Sequence, residues 1–426
     1  MDTVFENVTL IDPEADRERK SHVLLRDGKI AEILDHGAVP VVTGADHIDG
    51  KGLCLAPGIV DLGVKVGEPG ERHKESFRTA GAAAAAGGVT TIVTRPDTKP
   101  AIDTPEVLEY ATRRAADATE VRIAPMAALT HERAGREMVE IGFLKDAGAV
   151  AFSDGDQVIA DTRIFSRCLT YARSLDALVI GHVQEPYLSQ RAAVTSGKFA
   201  SLRGLPAVSP MAERLGLERD LALIEMTKAR YHVDQISTAV ALPALRRARE
   251  AGLDVTAGTS VHHVTLNEFD VGDYRTFFKV KPPLRAEEDR LAVIEAMRDG
   301  LIDIICSMHT PQDEESKRLP YEEAASGAVG LETLLPASLR LYHAGQVSLP
   351  QLFRALSHNP AQRLGLDGGR MRVGAPADLV LFDPHTPFVL DRFTLKSKSK
   401  NTPFDGQRLQ GKVRGTWVGG KRIFGT

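Results

Sequence analysis

The chain has 426 residues, of which 43% are hydrophobic and 26% charged, and its formal net charge is −4. This length favours a large barrel with a satellite domain over one core of average size, and the small net charge gives no electrostatic reason to expect nucleic acid or an anionic membrane as partner. No uncharged apolar run reaches the roughly 18 residues of a membrane span, and residues 1–6 lack a secretory pattern, so we expect a cytoplasmic protein.

Short strand-like runs without intervening helices lie at both ends of the chain. At the start they are residues 4–11, 23–25 and 30–34, and at the end they are residues 377–382 and 413–423. Such runs, separated by turns, are typical of a small antiparallel sheet. Neither end is large enough to form a domain alone. We therefore predict a β-sandwich built from residues 1–55 and 366–426 together.

Between the ends, strand-like and helix-like runs alternate. The predicted strands are residues 59–64, 89–94, 121–127, 149–153, 178–182, 232–236, 253–257 and 302–307. The predicted helices are residues 79–86, 105–118, 136–147, 163–175, 218–229, 242–251 and 287–298. Eight alternations of this kind predict an α/β fold, a parallel (β/α)8 barrel over residues 56–365, with its site at the carboxyl ends of the strands.

Motifs stand where those strands end. The first strand lies in the run Leu-Ala-Pro-Gly-Ile-Val-Asp-Leu-Gly-Val-Lys-Val-Gly-Glu-Pro-Gly, residues 55–70. Later ends carry Ser-Asp-Gly-Asp (153–156), Gly-His-Val-Gln-Glu (181–185), His-Val-Asp-Gln-Ile-Ser (232–237) and Ser-Met-His-Thr-Pro-Gln (307–312), and Lys-Val-Lys-Pro-Pro-Leu-Arg spans 279–285. Several motifs in a fixed order are far more specific than any one of them.

In this order the motifs resemble those of the dihydroorotases and related cyclic amidohydrolases, over essentially the whole chain. The resemblance implies an amidohydrolase-type TIM barrel and a role in pyrimidine biosynthesis. In that family the first strand reads Pro-Gly-x-Val-Asp-x-His-x-His, and its two histidines bind a catalytic metal. Those two places are Gly63 and Lys65 here. The ligand of the sixth strand falls on Gln235, and the aspartate of the eighth, both ligand and general base in the family, falls on Met308.

Only two of the six ligands implied by the resemblance remain, Asp154 and His182. A catalytic zinc needs three protein ligands and a structural zinc four. An ammonium at Lys65 would repel a cation, so we expect no metal cofactor. From charge alone, we expect Lys65 to take the metal's place and pair with Asp154.

The family's substrate-binding residues have changed as well. Its arginine falls on Gly67, and the asparagines of two later motifs fall on Asp97 and Lys281. The last histidine of the eighth-strand loop falls on Gln312. His262 lies in a segment that lines the family's pocket without binding metal. Loss of recognition together with loss of catalysis indicates a site that no longer serves dihydroorotate.

Structural roles are the alternative for the remaining polar residues. His182 and His232 end apolar strands, where hydrogen-bonded core histidines are common, and we favour that interpretation. The pair Asp154 and Asp156 is more typical of a turn than of an acid pair. His309 is the best surviving candidate for chemistry, but a lone imidazole without a nucleophile or metal contributes little.

Three functions from different classes follow. The favoured hypothesis is a noncatalytic dihydroorotase homologue, a pseudoenzyme that acts as a structural subunit for aspartate transcarbamoylase, in a homodimer or a larger hetero-oligomer. The second is an active cyclic amidohydrolase, with zinc, whose site is rebuilt around Lys65, Asp154, His182 and His309. The third is a small-molecule binding module that keeps only the pocket.

Overall fold

The structure, a computed structural model, describes residues 2–35, 37, 40 and 42–425. Its strands are β1 Thr3–Asp12, β2 Arg17–Arg26, β3 Lys29–Asp35, β4 Asp46–Asp49, β5 Cys54–Pro57, β6 Ile59–Val64, β7 Val89–Thr94, β8 Arg122–Ala127, β9 Ala151–Phe152, β10 Val179–Gly181, β11 Val194–Thr195, β12 Ala207–Val208, β13 Tyr231–Val233, β14 Val255–Ser260, β15 Ile304–Cys306, β16 Leu379–Val389, β17 Arg408–Val418 and β18 Lys421–Gly425.

Its helices are α1 Phe77–Gly87, α2 Pro105–Ala118, α3 Ile141–Asp146, α4 Thr162–Ser174, α5 Pro186–Ser189, α6 Lys198–Arg203, α7 Met211–Thr227, α8 Leu242–Glu250, α9 Val261–Thr265, α10 Glu287–Arg298, α11 Glu314–Arg318, α12 Leu334–His343, α13 Leu349–Phe353 and α14 Asn359–Leu364. Among the described residues, none of these helices combines the length and the apolar character needed to cross a membrane.

Eight parallel strands form a nearly closed barrel, in the order β6-β7-β8-β9-β10-β13-β14-β15. Two hydrogen bonds bring the last strand to the first: the Ser307 amide donates to Asp61 Oδ1 at 2.8 Å, and the Lys65 amide donates to the His309 carbonyl at 2.8 Å. All six residues of β6 are buried, as expected for a strand covered on both faces. The predicted barrel is confirmed.

The two ends of the chain build one sheet in the order β18-β17-β16-β5-β1-β2-β3, with β4 also paired to β1. In a flat sheet β1 and β17 would be three strand spacings apart, about 14 Å. Yet the ring centroids of Phe5 and Trp417, one from each strand, lie 4.9 Å apart in an edge-to-face contact. The sheet therefore curls over its own apolar core, and the prediction of a small β-domain built from both termini is confirmed.

The structure departs from the predicted elements after the fifth barrel strand. There the chain leaves the barrel for α5, β11, α6 and β12, and β11 and β12 pair with each other as a separate two-stranded sheet. The predicted sixth strand, residues 232–236, is assigned as β13 over Tyr231–Val233. Beyond it, the Asp234 amide still donates to the Gly181 carbonyl at 3.0 Å and the Ile236 amide to the Gly258 carbonyl at 2.8 Å, so Asp234 and Gln235 continue the path of the strand at the barrel mouth.

Candidate functional site

The end of the first barrel strand meets the end of the eighth at Gly63 and Met308. Gly63 has a φ of +88°, and a Cβ built on it would lie 2.9 Å from Met308 Sδ and 3.8 Å from Asp234 Oδ1. Met308 is buried and belongs to an apolar cluster inside the barrel with Val60 and Leu62. The thioether therefore fills the space that a side chain at position 63 would need.

Lys65 does not pair with Asp154, so that prediction is wrong. The Lys65 Nζ atom lies 3.3 Å from Glu71 Oε2 and 3.5 Å from Asp97 Oδ2. The Asp154 carboxylate instead accepts hydrogen bonds from the amides of Leu129 (2.9 Å) and Thr130 (3.0 Å) and from the Thr130 hydroxyl. The physical reason is local: the loop after β8 already satisfies Asp154, whereas the loops after β6 and β7 offer Lys65 two carboxylates.

The ion pairs continue along the rim from Asp97. Arg95 donates to Asp97 at 3.0 Å and lies 3.8 Å from Asp156. Asp156 is also paired with Arg133 at 2.7 Å and with Lys281 at 3.2 Å. Burial alone would raise the pKa of Asp156, but Lys281, Arg95 and Arg133 hold it far below its ordinary value. Three of the positions mapped from the family, Lys65, Asp97 and Lys281, thus belong to a row of alternating charges.

His182 and His232 are buried in the barrel. Burial, reinforced by cations, lowers the pKa of each to about 3: Lys281 is the first cation at His182, and Arg363 at His232. Both imidazoles are therefore neutral at pH 7. His232 Nδ1 lies 2.8 Å from Thr256 Oγ1, which fits a core histidine. His182 Nε2 has no hydrogen-bond partner among the described residues.

Two further carboxyl groups at the barrel mouth, those of Asp234 and Asp61, are buried. Among the described residues, they do not complete a set of metal ligands. Burial raises the pKa of Asp234 and of Asp61 to about 6 each. Gln235 Nε2 is 3.5 Å from Asp234 Oδ2 and 3.4 Å from the Lys281 carbonyl. Gln235 thus links two segments of the mouth. The Ser153–Asp156 segment forms the predicted turn, in which the Gly155 amide donates to Ser153 Oγ at 2.9 Å.

His309, the candidate for residual chemistry, is fully buried; its ring is hydrogen-bonded at Nδ1, and its Nε2 faces a carboxylate without a hydrogen bond among the described residues. Its Nδ1 accepts from the Gly330 amide at 3.1 Å, which places the proton on Nε2. Nε2 lies 3.4 Å from the carboxylate of Glu75, which is also buried. Burial alone would raise the pKa of Glu75, but His309 and neighbouring hydroxyls lower it. His309 therefore ties the eighth-strand loop to the segment before α1.

The other substrate-pocket positions are engaged too. A Cβ at Gly67 would lie 2.3 Å from the Glu71 carbonyl oxygen, so this turn has no room for the family's arginine. Gln312 donates to the Ser326 carbonyl at 2.8 Å. His262 is buried with its ring stacked on Phe404 at a centroid distance of 5.9 Å.

One buried ion pair near the barrel mouth was not predicted from the sequence. Glu213 and Arg285 are almost completely buried and lie 3.5 Å apart. Glu213 accepts hydrogen bonds from the amides of Ser237 (2.9 Å) and Thr238 (2.8 Å), and Arg285 Nε donates to Ser237 Oγ at 3.0 Å. The available signal was Arg285 itself, a charge at the end of the 279–285 motif.

The donor set does not fit a catalytic metal. Within residues 2–35, 37, 40 and 42–425, no group of three or more His, Cys, Asp or Glu side chains is arranged to hold an ion. Asp154 is saturated by hydrogen bonds, and Met308 occupies the space next to Gly63. A Lewis-acid centre needs at least three protein ligands and an open position. We therefore derive no chemical step through a metal.

A barrel with eight parallel strands, joined to a sheet made from both termini, is the architecture expected of an amidohydrolase-type protein. Consistent with this, the chain matches the Dihydro-orotase-like family model over residues 52–240 and the Amidohydrolase family model over residues 326–424. Among solved structures it superimposes on the L-hydantoinase (dihydropyrimidinase) of Arthrobacter aurescens with a TM-score of 0.90, at 24% identity, covering 99% of this chain and 96% of that one. This likeness concerns the fold alone.

Curated relatives give the family. A dihydroorotase of Syntrophus aciditrophicus is 39% identical, covering 100% of this chain and 99% of the relative. A dihydroorotase of Aquifex aeolicus is 34% identical, covering 99% of each. The chain belongs to the dihydroorotase family.

Proposed function

We propose that this chain is a noncatalytic dihydroorotase homologue that serves pyrimidine biosynthesis as a structural subunit of aspartate transcarbamoylase. Membership of the dihydroorotase family supports the place in pyrimidine biosynthesis. The contact between Met308 and the backbone at Gly63 carries the noncatalytic part, because it puts a thioether where the family has two metal ligands.

The ionic rim supports the same proposal. In the family, the bound metal activates water and polarises the scissile carbonyl. Here the Lys65 ammonium is paired with Glu71 and Asp97, and the Gly330 amide takes the Nδ1 lone pair of His309, so neither group offers a free lone pair to a substrate proton. The partner rests on the resemblance to metal-ligand-deficient homologues that assemble with aspartate transcarbamoylase.

The catalytic part is tested by assaying the purified chain for interconversion of dihydroorotate and carbamoyl aspartate, with and without added zinc. We expect background rates under both conditions, while the Syntrophus aciditrophicus dihydroorotase turns over in parallel. Turnover that disappears in His309→Ala, with the fold retained by circular dichroism, would contradict the proposal.

The structural part is tested by co-expression with the aspartate transcarbamoylase of the same organism, followed by size-exclusion chromatography with mass determination. We expect a hetero-oligomer and a transferase that is more active or more stable than when expressed alone. Separate elution with unchanged transferase activity would remove this part of the proposal and leave the assay result standing.

An active dihydroorotase is the second candidate, favoured by the name that the curated relatives share. It would require chemistry around Lys65, Asp154, His182 and His309 that breaks the contacts described above. The turnover assay decides between the two.

A further inference from the structure

A cavity of about 370 Å³ opens at the barrel mouth. Its walls come from the loop after β9, from the end of β10, from the segment around α5 and from Lys281; the lining residues include Asp156, Gln157, His182, Gln190, Arg191 and Lys281. This volume lies within the range of small-metabolite pockets. The sequence comparison with the family did not single out the wall at 189–192.

Cations outnumber carboxylates around this cavity. The one carboxylate in its wall, Asp156, is shared by Lys281 (3.2 Å), Arg133 (2.7 Å) and Arg95 (3.8 Å). Arg191 lines the cavity and forms no ion pair with a described residue. Among the described residues that line this concave site, Lys281 and Arg191 are two cations against the single carboxylate of Asp156, an excess of positive charge that favours anions.

The ring of His182 also lines this cavity, at the end of β10. A cation entering this cavity would meet Lys281 and Arg191, whereas an oxyanion would meet donors.

We propose that this cavity is a metal-independent binding site for a small oxyanion, a carboxylate or a phosphate, held by Lys281 and Arg191. The Asp156 carboxylate competes with the ligand for the same cations and sets the affinity. The proposed site binds a small anion at the barrel mouth and needs no hydrolytic chemistry to do so. It does not depend on the transcarbamoylase partnership, because every residue involved belongs to this chain.

Isothermal titration calorimetry on the full chain after chelator treatment tests this, with inorganic phosphate and succinate as probes and succinamide as the uncharged control. We expect saturable binding of about one phosphate or one succinate per chain, weakening as salt rises, and no binding of succinamide. Phosphate alone binding would identify a phosphate-type ligand, and succinate alone a carboxylate-type ligand. Absence of binding by both, or equal binding of succinamide, would overturn the proposal.

Variants separate this site from a purely structural ion cluster. Lys281→Gln and Arg191→Gln should each weaken binding about tenfold, the effect of losing one charge-assisted contact. Asp156→Asn should act in the opposite direction and tighten binding, also by about tenfold. The matched control is Lys51→Gln, at an exposed turn outside the barrel, which should bind as the unsubstituted chain does.

The sign at Asp156 is the decisive observation, with melting temperatures confirming that each variant is folded. A structural cluster would lose stability in Asp156→Asn without any gain in affinity. Unchanged affinity in both Lys281→Gln and Arg191→Gln would likewise overturn the proposal. Neither readout involves dihydroorotate turnover, so failure here is distinct from failure of the proposed function.

Discussion

The floor and the rim of the barrel mouth depart from the family's residue pattern in different ways. At the floor, where β6 meets β15, Met308 packs against the backbone of Gly63 and joins the apolar cluster inside the barrel. At the rim, Lys65 and Asp97 extend an alternating row of charges. Van der Waals packing replaces ligands in the first region, and side-chain charges replace them in the second.

The difference has an energetic reason. The floor is enclosed by strands, where an uncompensated charge costs several kcal/mol, so apolar filling is the stable solution. The rim retains carboxylates from three loops, and these need cations nearby whether or not a metal is present. Burial alone would raise the pKa of Glu71, but Lys74 and Lys65 lower it to about 2. The floor should therefore reject charge, and the rim should depend on it.

The largest effect is expected for Met308→Asp, which would place a carboxylate on the apolar floor, where the buried Asp234 of the segment after β13 already lies close to Gly63. Burial already raises the pKa of Asp234 to about 6. We expect the free energy of unfolding to fall by about 3 to 5 kcal/mol, since a buried charge without a partner costs that much. Urea denaturation at pH 7 measures it.

Met308→Leu is the matched control for that experiment. It keeps the volume and the apolar character and should cost less than about 1.5 kcal/mol. Should zinc restore the stability of Met308→Asp, the floor would still hold the geometry of a metal site, and the contrast between floor and rim would be weaker than described.

A smaller effect is expected for Gly63→Ala. The new Cβ would lie 2.9 Å from Met308 Sδ, in a backbone conformation with φ of +88° that side chains rarely adopt. We expect a loss of about 2 to 3 kcal/mol in the free energy of unfolding, strain and overpacking together. Denaturant unfolding of the purified variant gives the value.

The control separates backbone strain from crowding. Gly52 has a similar φ of +82°, and a Cβ there would meet nothing within 4 Å. Gly52→Ala should therefore show the strain alone, about 1 kcal/mol. Equal losses in Gly52→Ala and Gly63→Ala would mean that Met308 does not fill the floor.

Much of the fold could be predicted from the sequence because each barrel strand is a short apolar run closed by polar residues. The run 59–64 coincides with β6. The excursion through α5 and α6 could not be predicted, because β11 and β12 have two residues each and show no periodicity. Such elements depend on tertiary contacts rather than on local pattern.

The sequence predicts which positions lie at the site. It does not predict which side chains contact one another there. The motif frame locates Gly63, Lys65 and Met308, but whether Met308 fills the space beside Gly63 depends on how the barrel closes. The partners of Lys65 were missed for the same reason, since Glu71 and Asp97 follow different strands. The pair Glu213–Arg285 joins a helix to a distant loop, which no local pattern reveals.

At the rim, Lys65→Met should lower the free energy of unfolding by about 1 to 2 kcal/mol at pH 7. This is less than for a fully isolated buried pair, because Lys74 and Arg95 remain beside the two carboxylates. Lys51→Met, at an exposed turn, is the control and should be neutral. Urea denaturation of both variants measures the difference.

The stabilisation contributed by Lys65 should depend on pH in a definite direction. Lys65 helps to hold the folded pKa of Glu71 at about 2, below its ordinary value of 4.5. A depressed carboxyl pKa stabilises the folded state above the unfolded pKa, and this stabilisation is lost as the pH falls through the folded pKa. The stability gap between the unsubstituted chain and Lys65→Met should therefore be full at pH 7 and narrow from about pH 4.5 towards pH 2. If the difference in the free energy of unfolding between the two chains grows as the pH falls, Lys65 does not stabilise the fold by pairing with Glu71.

Treatment with a chelator is expected to leave the melting temperature unchanged, the smallest effect of the series. A structural zinc contributes about 10 to 16 kcal/mol of apparent binding free energy, so a chain that relied on one would melt at a clearly lower temperature after chelation. Here packing at the floor and charges at the rim occupy the places of the ligands, and Asp154 is satisfied by Leu129 and Thr130. We expect an unchanged melting temperature after chelator treatment and far less than one zinc per chain by elemental analysis of protein purified without chelator. One zinc per chain that persists through dialysis would contradict this, and a lower melting temperature after its removal would assign to the metal the stabilisation here ascribed to Met308 and Lys65.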